Sequence, residues 1–427
     1  MVTNTFTPEF ARMTTFSLPS PPAATCNPIL ATQQPWQWDA PLPAHYGPGS
    51  SQADVIPMDA PVQAPLPALY RTLSDAELDA RIQHARAQLG DRLLILGHHY
   101  QRDEVIRYAD LIGDSFKLSA EAATRNTADY LVFCGVHFMA ESADILAQPH
   151  QQVILPNMAA GCSMADMAHV DDVLDAWDAL GKVYDPQQGA RQPVLPVTYM
   201  NSAAALKAFC GEHNGVVCTS SNATTVLAWA FERGERILFF PDQHLGRNTG
   251  AAMGIPLEQM VVWNPRLPLG GNTLEQLQQA RIILWKGHCS VHKRFTTRQI
   301  AKARQDYPGI RVIVHPECEL PVVQAADLAG STELIINEIA RSAPGSQWAV
   351  GTEISLVRRL AAQHPDKLIF CLDPVVCPCS TMYRIHPAYL AWVLDNLLEG
   401  RVVNHIAVDA TTKRWAKVAL ERMLALR

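Results

Sequence analysis

Short apolar runs alternate with amphipathic stretches along most of the chain. Eight of these runs are three or four residues long and rich in Val, Ile, Leu and Phe. Runs of this length predict buried strands, and the stretches between them predict helices. The runs occupy residues 93–96, 130–133, 153–155, 194–197, 237–240, 282–285, 312–314 and 368–370. Strands and helices that alternate at this density favour an α/β fold in which helices cover parallel sheets.

A change of character near residue 71 separates a folded body from an N-terminal arm. Residues 1–70 hold 13 of the 30 prolines and a single basic residue, Arg12. This composition predicts an extended, poorly ordered arm, either a plain extension or a docking or regulatory segment. Beyond it, Ser74-Asp-Ala-Glu77 is a capping-box pattern. It predicts an Ala-rich amphipathic helix that ends near Leu89.

An internal repeat emerges when His98 is aligned with His315. Four further pairs then coincide at seven, twelve, fifteen and seventeen residues past the histidine: Val105 and Val322, Asp110 and Asp327, Gly113 and Gly330, and Ser115 and Thr332. A weaker third copy around Val197-Thr-Tyr199 has Leu206 seven residues past Tyr199. Repetition of this kind predicts duplicated structural units.

Each of the three units is closed by a strand that runs into a cysteine-bearing turn. The cysteines are Cys162, Cys289 and the pair Cys377 and Cys379. The carboxyl ends of parallel strands meet at one edge of a sheet, so three such units around a pseudo-threefold axis would bring one cysteine each to a common point. We therefore expect three pseudosymmetric three-layer αβα units with short parallel sheets around a central site, where three thiolates suit a metal cluster. The expected division is an arm over 1–70, units over 71–161 (with the leading helix), 162–288 and 289–378, and C-terminal helices over 379–427 that pack back on the body.

Composition narrows the class of protein. The 427 residues are 48% apolar and 18% charged with a net charge of -6, which argues against disorder and against a nucleic-acid-binding surface. No apolar run reaches the roughly 18 to 20 residues of a membrane span, and residues 1–20 lack the features of a secretory signal. Ten cysteines are too few for a secreted disulfide scaffold, so we expect reduced thiols in the cytoplasm. The absence of a Cys-x-x-Cys pair leaves a zinc ribbon or ferredoxin-type site without support.

Nine motifs carry the clearest functional signal. In chain order they are Gly97-His-His-Tyr-Gln101, Gly113-Asp-Ser115, Gly161-Cys162-Ser163, Tyr199-Met-Asn201, Thr219-Ser-Ser-Asn-Ala223, Trp285-Lys-Gly-His-Cys-Ser-Val-His292, His315-Pro-Glu317, Gly330-Ser-Thr332 and Cys377-Pro-Cys-Ser-Thr-Met382. From about residue 72 to the C-terminus, the chain resembles the quinolinate synthase family. The resemblance implies three pseudosymmetric αβα domains around a 4Fe-4S cluster held by three cysteines. It also implies condensation of iminoaspartate with dihydroxyacetone phosphate to quinolinate, phosphate and water in NAD biosynthesis, with an open iron as Lewis acid.

The resemblance implies Cys162, Cys289 and one member of the Cys377 and Cys379 pair as cluster ligands. Cys379 is favoured because Cys379-Ser-Thr-Met382 keeps a Cys-x-x-Met pattern, and Cys377 is the alternative. Most other cysteines lie in or beside apolar runs, where thiols pack as small hydrophobic groups. These are Cys134, Cys210, Cys218, Cys318 and Cys371.

The implied substrates carry two carboxylates and one phosphate, which favour helix N-termini and hydroxyl or imidazole donors. Ser115 and Thr332 hold equivalent repeat positions after Gly-rich turns, and Ser220 lies in a Thr-Ser-Ser-Asn turn. We expect their hydroxyls to bind substrate, with ordinary helix capping as the alternative. His98 and His315 end equivalent strands, where an imidazole can donate to an anion or shuttle protons.

Further candidates lie two residues apart at strand ends, where side chains share a face. Tyr199 and Asn201 are expected to orient a carboxylate, and Tyr100 is expected to join His98 in acid-base catalysis. Glu317 is the predicted base, since a carboxylate beside the cluster can take the protons that imine formation, enolisation and dehydration release. The same motifs imply Met200 and Pro316 as substrate-binding residues.

Three other functions stay open from the sequence. An iron-sulfur hydro-lyase of other specificity would use the same thiolates, and a redox sensor without turnover would use Cys377 and Cys379 as a switch. A zinc hydrolase would use His288 and Cys289. The many anion donors and the lack of a DNA-binding basic patch argue against the sensor. We expect small-molecule substrates, an aspartate oxidase as functional partner, and neither a nucleic acid nor a membrane as partner.

Overall fold

The computed structural model describes residues 65–124, 127–184, 191–375 and 378–426. The predicted arm over residues 1–70 therefore lies outside the described residues except for its last six positions. Cys377 also lies outside them. The first helix begins at Ala68, inside the range predicted for the arm.

The described residues form sixteen α-helices. They are α1 Ala68–Thr72, α2 Asp75–Leu89, α3 Asp103–Ile106, α4 Ser115–Thr124, α5 His137–Leu146, α6 Val170–Val183, α7 Ala204–Glu212, α8 Ala223–Arg233, α9 Gln243–Ala252, α10 Leu274–Gln279, α11 Thr297–Asp306, α12 Leu320–Ala325, α13 Thr332–Arg341, α14 Ile354–Gln363, α15 Pro387–Leu398 and α16 Ala410–Ala425. Short 3₁₀ turns occupy Gly90–Arg92, Ala165–Met167, Leu257–Gln259, Pro268–Gly271, His292–Arg294 and Met382–Arg384. None of these described helices combines the length and the apolar character that a bilayer span requires.

Fourteen β-strands complete the secondary structure of the described residues. They are β1 Leu93–His98, β2 Leu111–Gly113, β3 Tyr130–Cys134, β4 Gln152–Ile154, β5 Gln192–Tyr199, β6 Val216–Cys218, β7 Gly234–Phe240, β8 Met260–Trp263, β9 Ile282–Trp285, β10 Arg311–Val314, β11 Leu328–Ala329, β12 Gln347–Gly351, β13 Leu368–Cys371 and β14 His405–Ile406.

The strands form three sheets that share one plan. Their orders are β2-β1-β3-β4-β14, β6-β5-β7-β9-β8 and β11-β10-β12-β13. The first four strands of each order are parallel. In the second sheet the chain forms the edge strand β8 between β7 and β9, and β8 and antiparallel β14 extend equivalent edges of two sheets. Helices flank these sheets, so the predicted α/β class with three αβα units is confirmed.

The local signals in the sequence correspond to real elements. All eight predicted strands are present, and α2 begins with the predicted capping box, in which Ser74 Oγ accepts from Glu77 N at 3.3 Å and Glu77 Oε2 accepts from Ser74 N at 2.7 Å. Strands β2, β6, β11 and β14, of two or three residues each, were not predicted. Strands β8 and β12 were also missed. In β12 the apolar run is only three residues long, because Gln347 and Gly351 form its ends.

The repeat is visible in the hydrogen bonds of the first and third sheets. In both sheets the short edge strand pairs with the central strand in the same register. An aspartate at equivalent positions joins the two strands: Asp110 Oδ2 accepts from Ile95 N at 2.8 Å, and Asp327 Oδ2 accepts from Val312 N at 2.7 Å. The two units are therefore built alike down to a side-chain contact.

Apolar packing differs between the units. The first two sheets share one continuous core with α15 and α16. The third sheet has separate apolar clusters on its two faces, with Val312 and Val314 in one and Ile313 in the other. This alternation is what a strand covered on both faces requires.

The C-terminal helices pack against the first two units. Helix α15 lies on α2, where Asp395 accepts hydrogen bonds from Arg81 and Tyr70 at 2.8 Å each. Helix α16 lies on α7 at Gly211, where a Cβ atom would come within 1.9 Å of the Trp415 carbonyl oxygen. Only glycine permits this approach of the two backbones.

The close approach predicts opposite effects for two Gly→Ala substitutions. Gly211→Ala should lower the free energy of unfolding by about 1–3 kcal/mol, because the added methyl group must push α16 away. Gly181→Ala in α6 has nothing within 4 Å of the new Cβ atom and should raise that free energy by roughly 0.5–1 kcal/mol through helix propensity. Chemical denaturation of both variants checks this. Equal effects would show that the α7 and α16 contact is not close.

Candidate active site

A cavity that opens to solvent, with about 680 Å³ of empty space including its mouth, lies where the carboxyl ends of β1, β5 and β10 meet. His98, Tyr199 and His315, at or just past these strand ends, all line it. The predicted site residues that line the cavity are His98, Tyr100, Ser115, Cys162, Tyr199, Met200, Asn201, Ser220, Cys289, His315, Glu317, Thr332 and Cys379.

Among the cluster and substrate-binding residues that the resemblance implies, Pro316 is the one in the described part of the chain that does not line the cavity. Its carbonyl oxygen instead accepts a hydrogen bond from Asn248 Nδ2 at 2.7 Å, and the Cys318 carbonyl accepts from the same nitrogen at 2.7 Å. These two bonds hold the turn on either side of Glu317.

Three cysteine turns of the same construction enter the cavity. The carbonyl oxygens of Cys162, Cys289 and Cys379 accept hydrogen bonds from the backbone N–H groups of Asp166, Lys293 and Tyr383 at 3.0, 3.0 and 2.9 Å. In each case a 3₁₀ turn begins three residues after the cysteine. The three turns follow β4, β9 and β13, which occupy equivalent places in their sheets.

The thiols of these turns share one electrostatic environment. Burial raises the pKa of Cys162 to about 12 and raises those of Cys289 and Cys379 above the ordinary value. The other two cysteines and Glu317 raise the pKa of Cys289 further. Bringing negative charge to this point is therefore unfavourable unless a metal compensates it, because metal ligation requires thiolates.

A buried carboxylate forms the centre of the polar network. Glu317 is 2% exposed; its Oε1 accepts from the Tyr199 hydroxyl at 2.6 Å and its Oε2 contacts His292 Nδ1 at 2.8 Å. Burial alone would raise the pKa of Glu317, but His292 and His315, together with the hydrogen bonds from His292 and Tyr199, hold its pKa below the ordinary value. Glu317 is therefore ionised at neutral pH, and burial keeps the proton on Tyr199 by raising the pKa of that phenol.

His98 and His315 present equivalent imidazoles. His98 Nδ1 accepts from Tyr100 N at 3.1 Å, and His315 Nδ1 accepts from Glu317 N at 3.3 Å. Burial lowers the pKa of His98 well below the ordinary value and, with His292 nearby, lowers that of His315 to about 3. Both rings are therefore neutral with the proton on Nε2, which leaves that N–H to donate to a ligand.

Hydroxyl groups supply further donors. Ser115 and Thr332 are the first residues of α4 and α13. The capping alternative does not hold for Thr332, because Ser331 is the N-cap of α13 and its Oγ accepts from Leu334 N at 3.4 Å. Ser220 lines the cavity together with Tyr199.

Comparison with known proteins identifies the family. The family profile described as NadA, quinolinate synthetase A protein, matches residues 80–425. The quinolinate synthase of Corynebacterium glutamicum is 60% identical over 385 residues, which cover 90% of this chain and 96% of the relative. Those of Rhodopirellula baltica and Nocardioides sp. are 55% and 57% identical and cover 84% and 83% of this chain, and 93% and 90% of the relatives.

The chain belongs to the quinolinate synthase family. The family named from the motifs is thereby confirmed, and the chain is an enzyme of that kind. The match begins at residue 80, close to where the motif resemblance begins.

Two residues that sequence reasoning did not select lie at the centre of this quinolinate synthase site. His292 Nδ1 must donate to Glu317, since an ionised carboxylate only accepts, and His292 Nε2 lies 3.2 Å from Thr352 Oγ1. Thr352 Oγ1 lies 2.8 Å from the Tyr100 hydroxyl. His292 was visible in the motif that contains Cys289; Thr352 carried no signal in the sequence.

The structure does not place the two predicted zinc ligands, His288 and Cys289, together in the cavity. His288 does not line the cavity, and its backbone N–H donates to Met167 Sδ at 3.4 Å. The ligand atoms of Cys289, His292 and Glu317 instead lie within 4.8 Å of one another, close enough to hold a metal ion. Glu317 is hydrogen-bonded to both His292 and Tyr199, so a single ion there would displace the network around Glu317.

The raised pKa of Cys162 predicts how the rate of its alkylation depends on pH in the metal-free protein. Its alkylation rate should rise about tenfold per pH unit from pH 7 to 9 without a plateau, because the thiolate fraction stays small below the raised pKa. In the urea-unfolded chain, the alkylation rate of the same thiol should level off above about pH 8.5, the ordinary pKa of a cysteine. Peptide mass spectrometry of the alkylated chain measures both profiles. A plateau near pH 8.5 in the folded protein would contradict the buried setting.

Proposed function

We propose that the chain condenses iminoaspartate with dihydroxyacetone phosphate to give quinolinate, phosphate and water, as a step of NAD biosynthesis. The observation that carries the proposal is a cavity lined by three cysteines, three imidazoles, several hydroxyl groups and the buried carboxylate of Glu317. Its donors suit substrates with two carboxylates and a phosphate. Membership of the quinolinate synthase family supports the same reaction.

Cys162, Cys289 and Cys379 would hold a 4Fe-4S cluster in this cavity. The donor set fits, because three thiols on equivalent turns line one cavity and the other two thiols raise the pKa of Cys289. Cys379 occupies the turn equivalent to those of Cys162 and Cys289, which favours it over Cys377 as the third ligand. With three protein ligands, such a cluster supplies an iron with an open position that serves as a Lewis acid.

Neutral donors bind and orient the anionic substrates. His98 and His315 line the cavity from equivalent strand ends, and the Nε2–H group of each ring is left to donate to an anion. Ser115 and Thr332 add hydroxyls at the first turns of α4 and α13, where the helix dipole also favours an anion. Because these donors are preorganised and carry no full charge, they can stabilise the charge of substrate and transition state without first being desolvated as ions.

Glu317 would act as the general base. It is ionised, buried and lines the cavity, so it can take the protons that imine formation, enolisation and dehydration release. Tyr199 and His292 fix its two oxygens. From His292, hydrogen bonds through Thr352 reach Tyr100, which offers a path for proton redistribution between the base and the opposite wall.

An apolar wall limits water in the cavity. Val136, Phe138 and Met139 line one side of it and are at most 3% exposed. An apolar lining strengthens the electrostatic contacts of Glu317 and the imidazoles, and it protects an imine from hydrolysis.

The supply of substrate points to a partner and a compartment. Iminoaspartate is unstable, so we propose that an aspartate oxidase produces it in the same compartment, the cytoplasm. An iron-sulfur hydro-lyase or a redox sensor would retain the cluster but would not form quinolinate from iminoaspartate and triose phosphate. Zinc bound at Cys289, His292 and Glu317, without sulfide, would instead support the hydrolase.

Replacing Cys162, Cys289 or Cys379 singly with Ala should abolish the brown absorption near roughly 400 nm, because each removes one of three ligands. Iron, sulfide and the spectrum are measured after anaerobic reconstitution. Cys134→Ala is the matched control, since this buried thiol does not line the cavity. A cluster retained by Cys379→Ala and lost by Cys377→Ala would transfer the third ligand to Cys377.

Glu317→Gln should keep the fold and the cluster while lowering kcat for quinolinate formation by about 10²–10⁴-fold, because the amide cannot take a proton. Glu319→Gln, two residues away and outside the cavity lining, is the control and should remain close to wild type. The assay supplies iminoaspartate generated in place together with dihydroxyacetone phosphate. Near-normal turnover by Glu317→Gln would remove Glu317 from the mechanism.

A further inference from the structure

Helix α14 begins with an unusual cap. Glu353 is its N-cap, and Glu353 Oε2 accepts from Ser355 N at 2.7 Å and from Leu356 N at 3.4 Å. Glutamate is not among the residues that commonly cap helices, which are Ser, Thr, Asp and Asn. Elsewhere in the chain, Asp242 and Asp409 cap α9 and α16 with the same pair of backbone bonds. Capping alone would therefore need only an aspartate.

The longer side chain of Glu353 makes one contact that an aspartate could not reach. Its Oε1 accepts a hydrogen bond from the backbone N–H of Cys379 at 3.2 Å. Glu353 is 1% exposed, so this bond is formed away from solvent, where an unpaired backbone N–H would be costly. The carboxylate thus joins the first turn of α14 to the third cysteine turn.

The start of the same loop is tied down separately. Asp373 forms a salt bridge with Arg294 at 2.7 Å, and Arg294 belongs to the 3₁₀ turn that follows Cys289. The loop that carries Cys379 is therefore held at its start to the second cysteine turn and at its end to Glu353.

The residue before Glu353 belongs to the hydrogen-bond network around Glu317. Thr352 Oγ1 contacts Tyr100 at 2.8 Å and His292 at 3.2 Å. Two consecutive residues past β12 therefore contact the third cysteine turn and the hydrogen-bond chain that leads to Glu317.

We propose that Glu353 is a positioning residue that holds the Cys379 thiol toward the cavity, in addition to capping α14. The inference rests on the proposed function, because it concerns a cluster bound by Cys379. Loss of such a supporting contact typically weakens metal binding by about 10- to 100-fold.

The test separates the two tasks of the side chain with three variants. Glu353→Asp keeps the cap of α14 but is too short to accept the hydrogen bond from Cys379 N. Glu353→Ala loses both the cap and that hydrogen bond. Asp409→Ala is the control, since it loses only the cap of α16. Each full-length chain is reconstituted anaerobically, and iron, acid-labile sulfide and the rate of iron loss to a chelator are measured. The thermal unfolding temperatures of the metal-free chains measure how much stability each variant loses with its helix cap.

We expect metal-free Glu353→Asp to unfold closer to wild type than Glu353→Ala does, because it keeps the cap and loses only the bond to Cys379 N. It should lose iron to the chelator about tenfold faster than wild type. Glu353→Ala should show both defects, and Asp409→Ala should show only the lower unfolding temperature. Wild-type iron retention by Glu353→Asp would overturn the inference, as would iron loss by Asp409→Ala equal to that of Glu353→Asp. A wild-type chain that takes up no iron and sulfide would instead overturn the proposed function itself.

Discussion

The burial of an ionised Glu317 is the constraint on which the site depends. A buried carboxylate is costly unless its oxygens are hydrogen-bonded, and here the partners come from different units: Tyr199 ends a strand of the second sheet, and His292 follows the second cysteine turn. Removing either donor would leave negative charge unpaired beside three thiols whose pKa values are already raised. The same contacts therefore orient the proposed base and join the second unit to the third.

Repetition explains how a small number of local signals can build one site. Each unit ends a central strand at the cavity and follows its fourth core strand with a cysteine turn of the same hydrogen-bond pattern. The third unit packs its own apolar clusters on both faces and contacts the others around the cavity through polar groups such as Tyr100, Thr352 and Glu317. Stability thus resides largely in the apolar layers, while the polar contacts between units are available for binding and proton transfer.

Local and periodic features of this fold were predictable from the sequence, whereas contacts between units were not. The capping box at Ser74, the strand runs and the aspartates of the repeat act within one element or between neighbouring strands, so their spacing carries the information. The roles of Thr352 and Glu353 depend on residues far away in the chain, Tyr100 and Cys379, and no period or spacing reports them. Pro316 shows the converse limit: it lies inside a site motif, yet its carbonyl contacts Asn248 instead of facing the cavity.

The central claim is that three cysteine turns hold a 4Fe-4S cluster with one iron open to substrate. Mössbauer spectroscopy of ⁵⁷Fe-reconstituted protein, with and without quinolinate, tests it most directly. The account predicts cluster iron in which about one quarter of the signal shifts when quinolinate is added, because one iron lacks a protein ligand. A cluster spectrum that quinolinate leaves unchanged, or protein that binds zinc without sulfide, would contradict it.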